Sequence, residues 1–414
     1  MGTARQQLKT TLARLQTVWS IVGITLIVLL LVEASFRLMF AVRDRITVVP
    51  VPDPRVVADG YAGAPWPQVH FHELEQLRER WKPYVYFRQE PFLGETIHIG
   101  ADGHRATWQS SMPAADRNRS VKILTLGGSS LWGYGARDDQ TIPSLLARAL
   151  HEKGWHVELR NLAEIGYVST QEVIALFREL QAGYRPDLVI FYDGVNDTTS
   201  ALLEGEPGLT TNEVHRRQEF NLLQSSATMA AALMAKLVKD SGSYRFAQMA
   251  RRRVEGKTAQ PEIGQARLRV PDVAAGVVLN YEANVTLVEA LGKSFGFRAL
   301  FFWQPTVFTK PTLVPIESEE ARKFAWAEPF MNQVYGRITT SAPLKANPAF
   351  HDLSAIFDAA GGLMFIDYCH TTETANALIA AAMTTKVIEA LEIAPGDGRQ
   401  PRDGDRGPRP KTIE

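Results

Sequence analysis

Residues 121–135 read VKILTLGGSSLWGYG, an apolar run that ends on two glycines, two serines and two further glycines. The first six residues suit a strand buried on both faces, and the glycines break it where the chain must turn. The same grammar recurs downstream. HVELRNL (156–162), DLVIFYD (187–193), RALFFW (298–303) and LMFID (363–367) predict further strands, and helices are predicted near 142–153, 170–182, 273–295, 317–337 and 372–392. Strands separated by helices of about a dozen residues predict a parallel sheet with right-handed crossovers. The expected fold class is therefore α/β, a three-layer α/β/α domain whose strands share one carboxyl edge.

Around this core the chain is built in blocks. Of its 414 residues, 45 are Lys or Arg and 45 Asp or Glu, so no net field attracts nucleic acid. The single cysteine, Cys369, excludes an intrachain disulfide framework, no Cys/His cluster has zinc spacing, and no metal is expected. Residues 18–42, VWSIVGITLIVLLLVEASFRLMFAV, are apolar apart from Glu33 and Arg37 and are long enough to cross a bilayer. Those two charges, four apart, can pair on one helical face. Arg5, Lys9 and Arg14 in the acid-free stretch before them predict a cytoplasmic tail, 1–17, and a single-pass transmembrane signal anchor, 18–42. The rest of the chain then lies on the periplasmic side of the inner (cytoplasmic) membrane. Cleavage at Val32-Glu33-Ala34 is the alternative, but the apolar run continues past Ala34.

Residues 43–114 predict a stem and a small β-rich lead-in. The stem is the Pro/Gly-bearing segment 44–66; FHELEQLRERW (71–81) reads as a helix, and 84–108 as short strands around an Ala-Asp-Gly-His turn. The main domain, 115–392, carries a helical insertion at about 200–270. In it SSATMAAALMAKLVKD (225–240) suits an amphipathic helix, and RFAQMARRRVEGK (245–257) is a basic run. A solvated charged face, a lid, or a surface held near anionic headgroups would each fit. Residues 393–414 are rich in Pro, Gly and charge, and disorder is expected there.

Open α/β sheets bind ligands at the carboxyl ends of their strands. There the sequence places Ser129 and Ser130 after the first strand, Gly166 after the second, Gly194, Asn196 and Asp197 after the third, and Asp367 and His370 after the last. A serine hydroxyl becomes a nucleophile when a base takes its proton, and histidine does this well when a carboxylate orients it. The oxyanion that forms needs donors, for which the Ser129 N–H, the Gly166 N–H and the Asn196 side-chain amide are candidates.

In this order the blocks LGGSSLWGYG, EIGYVS, GVND and DYCH resemble those of the SGNH, or GDSL, hydrolases. The resemblance spans about 115–392. It implies an SGNH/flavodoxin-like sheet, catalytic Ser129, Asp367 and His370, an oxyanion hole of Ser129, Gly166 and Asn196, and acyl transfer through a covalent Ser129 intermediate without a cofactor. The family's first block has a glycine four residues after its serine; Gly133 fits Ser129, whereas Ser130 would put Tyr134 there. The chain departs from Gly-Asp-Ser-Leu at Gly128 and Ser130. With an outward-facing anchor, the resemblance implies an O-acetyl ester of extracytoplasmic polysaccharide as substrate. O-acetyltransfer to an exopolysaccharide or cell-wall glycan, lipase or lysophospholipase action on a lipid ester, and non-catalytic glycan binding are the alternatives. A membrane-bound acyltransferase is a partner such a protein could serve.

The remaining polar residues have plainer readings. Ser130 reads as a turn hydroxyl bonded to backbone, Asp197 as a cap on the segment that follows it, and Cys369 as turned away from Asp367 and His370 by strand alternation. Trp132 and Tyr134 could stack on a sugar or belong to the core. His351 and Gln304 could line a cleft or be structural.

Overall fold

The computed structural model describes residues 2–46, 55–56, 61, 63–110, 120–222, 226–255 and 270–392. The chain divides into two compact units, residues 1–54 with 212–262, and residues 55–211 with 263–414. With helices numbered along the chain, the described part of the smaller unit is α1 (Gly2–Ile46), α7 (Glu213–Leu222), α8 (Ser226–Lys239) and α9 (Gly242–Glu255). In α1 the stretch Arg14–Arg43 is long and apolar enough to cross a membrane, and Glu33 pairs with Arg37 at 2.7 Å as their spacing predicts. The helix continues to Ile46, so the first residues of the expected stem are helical. The rest of that stem, apart from a few residues, and the whole of the expected disordered tail 393–414 lie outside the described residues.

The larger unit opens with α2 (Trp66–Gln76), which starts and ends earlier than the expected 71–81 helix because Glu79–Lys82 forms β1, antiparallel to β2 (Tyr86–Gln89). A second hairpin pairs β3 (Phe92–Leu93) with β4 (His98–Ile99), and the Ala-Asp-Gly-His turn follows with Gly103 at φ +84°. The main sheet contains β5 (Val121–Gly127), β6 (Val157–Asn161), β7 (Leu188–Asp193), β8 (Arg298–Trp303) and β9 (Phe350–Asp352), all parallel, in the order β6-β5-β7-β8-β9. Strand alternation sorts the side chains. Leu124, Leu126, Val189, Phe191, Phe301 and Trp303 enter one core with α5 (Ser169–Gln181), α6 (Val195–Glu204), α10 (Val270–Phe295) and α12 (Glu328–Thr340). Ile123, Leu188, Ile190, Leu300 and Phe302 enter the other with α4 (Ile142–Glu152) and α13 (Glu373–Glu392). The three layers are therefore α/β/α, each fully buried aliphatic side chain contributing about 1.5–3 kcal/mol. Along the β6 edge the side chain of Gln109 donates to the Leu159 carbonyl at 2.7 Å.

Two expectations fail. The helix expected over 317–337 is two, α11 (Pro315–Lys323) and α12: the chain turns at Phe324–Ala327, and Pro329, which has no N–H to give to a preceding turn, starts the second helix. The strand expected at 363–367 is not a strand. The fifth strand is the three-residue β9, and 363–367 is a buried loop entered through Gly361 and Gly362. Its side chains are as buried as a strand's, but its backbone partners are different. One oxygen of Glu317 accepts from the N–H of Met364 (2.8 Å) and Phe365 (3.1 Å); the other accepts from Lys310 Nζ (2.5 Å) and the Val314 N–H (3.1 Å). The loop closes on itself through Ile366 N–H to His370 O at 2.9 Å.

Glu317 and Lys310 have almost no exposed side-chain surface. Removing one partner of such a pair leaves an uncompensated buried charge, which costs about 3–5 kcal/mol. Glu317→Ala should therefore lower the thermal unfolding midpoint of the detergent-solubilised chain by several degrees or prevent folding. A midpoint equal to the wild type's would show that the loop is held by other means.

Candidate active site

The edge where β5, β6 and β7 end gathers the residues in question. Gly127 closes β5, and Ser129 begins the one-turn helix α3 (Ser129–Trp132), which Gly133 ends at φ +99°. A carbon added to Gly128 would lie 2.2 Å from the Asn196 side-chain nitrogen. A side chain at position 128 would therefore have to displace the Asn196 amide from its present place. The Asn196 amide, at the start of α6, also donates to the Tyr167 carbonyl at 2.7 Å. One of its hydrogens is thus used to fix the amide plane beside the nucleophile turn.

His370 Nε2 lies 2.7 Å from Ser129 Oγ, and its Nδ1 lies 2.5 Å from Asp367 Oδ2. The other oxygen, Oδ1, accepts from the N–H of Cys369 (2.9 Å) and His370 (2.7 Å). Burial raises the Asp367 carboxyl, but the facing His370 and these backbone donors outweigh it, so the group sits below its ordinary range and stays ionised. The expected trio is thus in contact. Gly166 lies on the loop after β6 with φ +81°, a conformation that favours glycine, and the Glu164 N–H ties that loop to the Gly127 carbonyl at 3.0 Å.

Several neighbours support the trio, some in the way the sequence suggested and some not. Tyr134 stacks on the His370 ring with centroids 4.1 Å apart, and its carbonyl is 3.0 Å from His70 Nε2. One face of its ring thus backs the imidazole. Trp132 is a core residue, 1% exposed, under the Arg105 guanidinium. Ser130 donates to the Cys369 carbonyl (3.2 Å) and accepts from Gln304 Nε2 (3.3 Å), so it fastens the nucleophile turn to the Asp367–His370 loop. Gln304 is buried behind the site, and His351 lies on β9 against Phe302, so neither lines a cleft around Ser129. The lead-in has a purpose as well: Glu164, fully buried, accepts from the Gln89 and Ile165 N–H groups, and Arg88 donates to the Leu162 carbonyl, clamping both ends of the segment before Gly166.

Two readings need correction. Asp197 does not cap the segment that follows it; it accepts from the N–H and hydroxyl of Ser169, and so caps α5 across the layer. Cys369 is not turned away. Because 363–367 is no strand there is no alternation, and the cysteine sulfur, an Asp367 oxygen and a His370 nitrogen lie within 4.8 Å of one another. Burial pushes that thiol well above its ordinary value, while the Asp367 carboxylate and the imidazole nitrogens are committed to hydrogen bonds. The trio is thus poorly suited to ligating a metal.

Beneath Asn196 lies a second group of carboxyls, Glu172, Asp193 and Asp197, all at most 3% exposed. Burial, then the charge of Asp193, pushes Glu172 well above its ordinary value, and burial does the same to Asp193. Burial lifts Asp197 to about 6 against the pull of the Ser169 donors.

Neither a family model nor a curated protein matches the chain. Similar solved structures include an acetyl xylan esterase, AlAXEase, at 14% identity, covering 64% of this chain and 100% of that one with a TM-score of 0.34. The psychrotrophic esterase EstA from Pseudoalteromonas sp. matches at 14% identity over 65% of this chain and 98% of its own, TM-score 0.34. The acetylxylan esterase Axe2 from Geobacillus stearothermophilus matches at 13% identity over 64% and 94%, TM-score 0.32.

The buried carboxyls set a pH dependence. Groups whose folded value is raised contribute stability that is complete below their unfolded value and is lost as pH rises through the folded one. For Asp197 that loss is complete once the pH has risen through about 6, while Glu172 and Asp193, held well above their ordinary values, extend it to higher pH. Asp367, held low, acts oppositely, its contribution being lost as pH falls through its own depressed value. The unfolding midpoint should therefore fall between about pH 5 and about pH 8, and Glu172→Gln should flatten the fall. A midpoint that rises across this interval would contradict the assignment.

Proposed function

We propose that this chain is a membrane-anchored serine esterase of the SGNH/GDSL type, with its catalytic domain facing away from the cytoplasm. The observation that carries the reading is the line Ser129 Oγ, His370, Asp367, with 2.7 and 2.5 Å between successive groups. His370 takes the Ser129 proton as Oγ attacks the acyl carbonyl, and the ionised Asp367 holds the ring and stabilises its positive form. The tetrahedral oxyanion is met by the N–H groups of Ser129 and Gly166 and by the second amide hydrogen of Asn196. Collapse expels the alcohol, protonated by His370, and leaves an acyl group on Ser129; water then repeats the sequence with His370 as base.

The proposed substrate is an O-acetyl ester of extracytoplasmic polysaccharide. The resemblance of the four blocks and the outward-facing anchor support it, and Ser129, only 7% exposed, is reached more easily by a short acyl group than by a bulky one. Transfer to a sugar hydroxyl would use the same residues and differ only in the acceptor. A fluorophosphonate should add once to the wild-type chain by intact mass and not to Ser129→Ala. Asn196→Ala should lower kcat by about 10²–10³-fold, the loss seen when one oxyanion donor is removed. With acetylated glycan, acetate should be released. Folded wild-type protein that takes no adduct would sink the reading, and release of fatty acid from lipid esters instead would replace the substrate class.

A further inference from the structure

Glu33 and Arg37 lie inside the apolar stretch Arg14–Arg43, yet both have polar partners within the protein. The Glu33 carboxylate accepts from the N–H groups of Gly242 (2.6 Å) and Ser243 (3.0 Å), from the Ser243 hydroxyl (2.8 Å), and from Arg37 Nε (2.7 Å). Arg37 donates onward to the Asp240 carbonyl at 3.3 Å. A side chain of the candidate spanning helix therefore caps the amino terminus of α9, where a carboxylate is favoured. The contact continues along both helices. Phe36 stacks on Phe246 at 4.5 Å, Phe40 is buried beside the guanidinium groups of Arg43 and Arg245, and Arg43 reaches Met249 Sδ at 3.5 Å.

These pairs advance together, 33 to 43 against 242 to 249, so α1 and α9 run in the same direction. The α8–α9 turn at Asp240–Ser241 is then level with Glu33–Arg37, about 9–15 Å nearer the bilayer centre than Arg43 at 1.5 Å per residue. The apolar stretch holds 30 residues, about 45 Å of helix against a hydrocarbon layer of about 30 Å. About 15 Å of it therefore lies outside that layer; with the hydrocarbon beginning near Val18, its far boundary falls near Arg37, and the α8–α9 turn lies at that boundary. Beside that turn, α8 exposes Leu233, Met234, Leu237 and Val238 at 57–65% of their surface. Residues 226–255 carry six Lys or Arg against two Asp or Glu.

We propose that the α8–α9 hairpin is seated in the bilayer interface beside the anchor. Leu233, Met234, Leu237 and Val238 enter the acyl boundary, and Lys236, Lys239 and the basic residues of α9 lie among anionic headgroups. Three observations converge on lipid as the occupant: continuity with the spanning helix, apolar side chains exposed at the matching depth, and a basic excess beside them. The inference rests on Arg14–Arg43 spanning the membrane and not on any esterase activity, so the two can fail separately.

The test uses the full chain in nanodiscs of phosphatidylethanolamine and phosphatidylglycerol. An environment-sensitive NBD probe is placed singly at Leu233→Cys, Leu237→Cys, Leu30→Cys in the span, or Arg217→Cys on α7, with the wild type as control for the buried Cys369. The proposal expects a blue shift at 233 and 237, with loss of emission to nitroxides carried at shallow depth on the lipid. The Leu30 probe should be quenched best by deep nitroxides, and the Arg217 probe only by aqueous iodide. Iodide quenching at 233 and 237 would overturn the proposal, as would a blue shift there that no lipid nitroxide quenches, the signature of a second copy or another protein. A Leu30 probe open to iodide would overturn the span and the proposal together. A fluorophosphonate adduct on the same samples reports the esterase reading independently of all these outcomes.

Discussion

The loop that carries Asp367 and His370 has no sheet to hold it, and the carboxylate of Glu317 supplies what a neighbouring strand would have. It takes the N–H groups of Met364 and Phe365, balances the buried Lys310, and accepts from the Val314 N–H at the start of its own helix. A carboxylate can satisfy several donors at once, which one strand carbonyl cannot. The dependence runs onward: with 364 and 365 fixed, the 366–370 turn can close, and Asp367 can accept two backbone donors while still facing the imidazole. Tyr134 stacked behind the ring and Ser130 bonded to the Cys369 carbonyl then tie this loop to the nucleophile turn.

The larger unit treats its buried carboxyls in opposite ways. Asp367 is surrounded by donors and a partner that becomes positive during the proposed reaction, so its charge is retained. Glu172 and Asp193 face apolar surroundings and one another, so theirs is suppressed. Asp193 is only three residues before Asn196, at the end of the strand that feeds it. At Asp367, a fifth of whose side-chain surface is exposed, the donors and the facing imidazole outweigh burial; at Glu172, Asp193 and Asp197, which are nearly inaccessible, burial prevails even where Ser169 donates to Asp197.

Four of the five main strands were legible because each is a run of five to seven residues with apolar content and a turn signal behind it. The fifth was not: Phe350–Asp352 is too short to show a period, while LMFID imitates a strand because its side chains are equally buried. Sequence pattern reports burial, and it does not report which group accepts the backbone hydrogens. Ser129, Asp367 and His370 could be read from spacing and order. The closeness of Gly128 to the Asn196 amide could not be read, since that amide comes from another loop, and neither could the Glu164 and Arg88 clamp, which joins segments some 75 residues apart. Asp197 was read as a local cap because sequence shows only the helix it precedes, and the helix it serves lies across the layer.

The two margins of the main sheet are finished differently from its interior. At one, β9 offers only three residues, and at the other the Gln109 amide occupies the Leu159 carbonyl of β6. An unfinished strand is a template for the next molecule. Confinement to a membrane plane would concentrate copies of this chain, so neighbours would meet often and in similar orientations. Blunted margins let such crowding occur without strand-to-strand polymerisation, leaving each sheet's carboxyl edge open to its own loops.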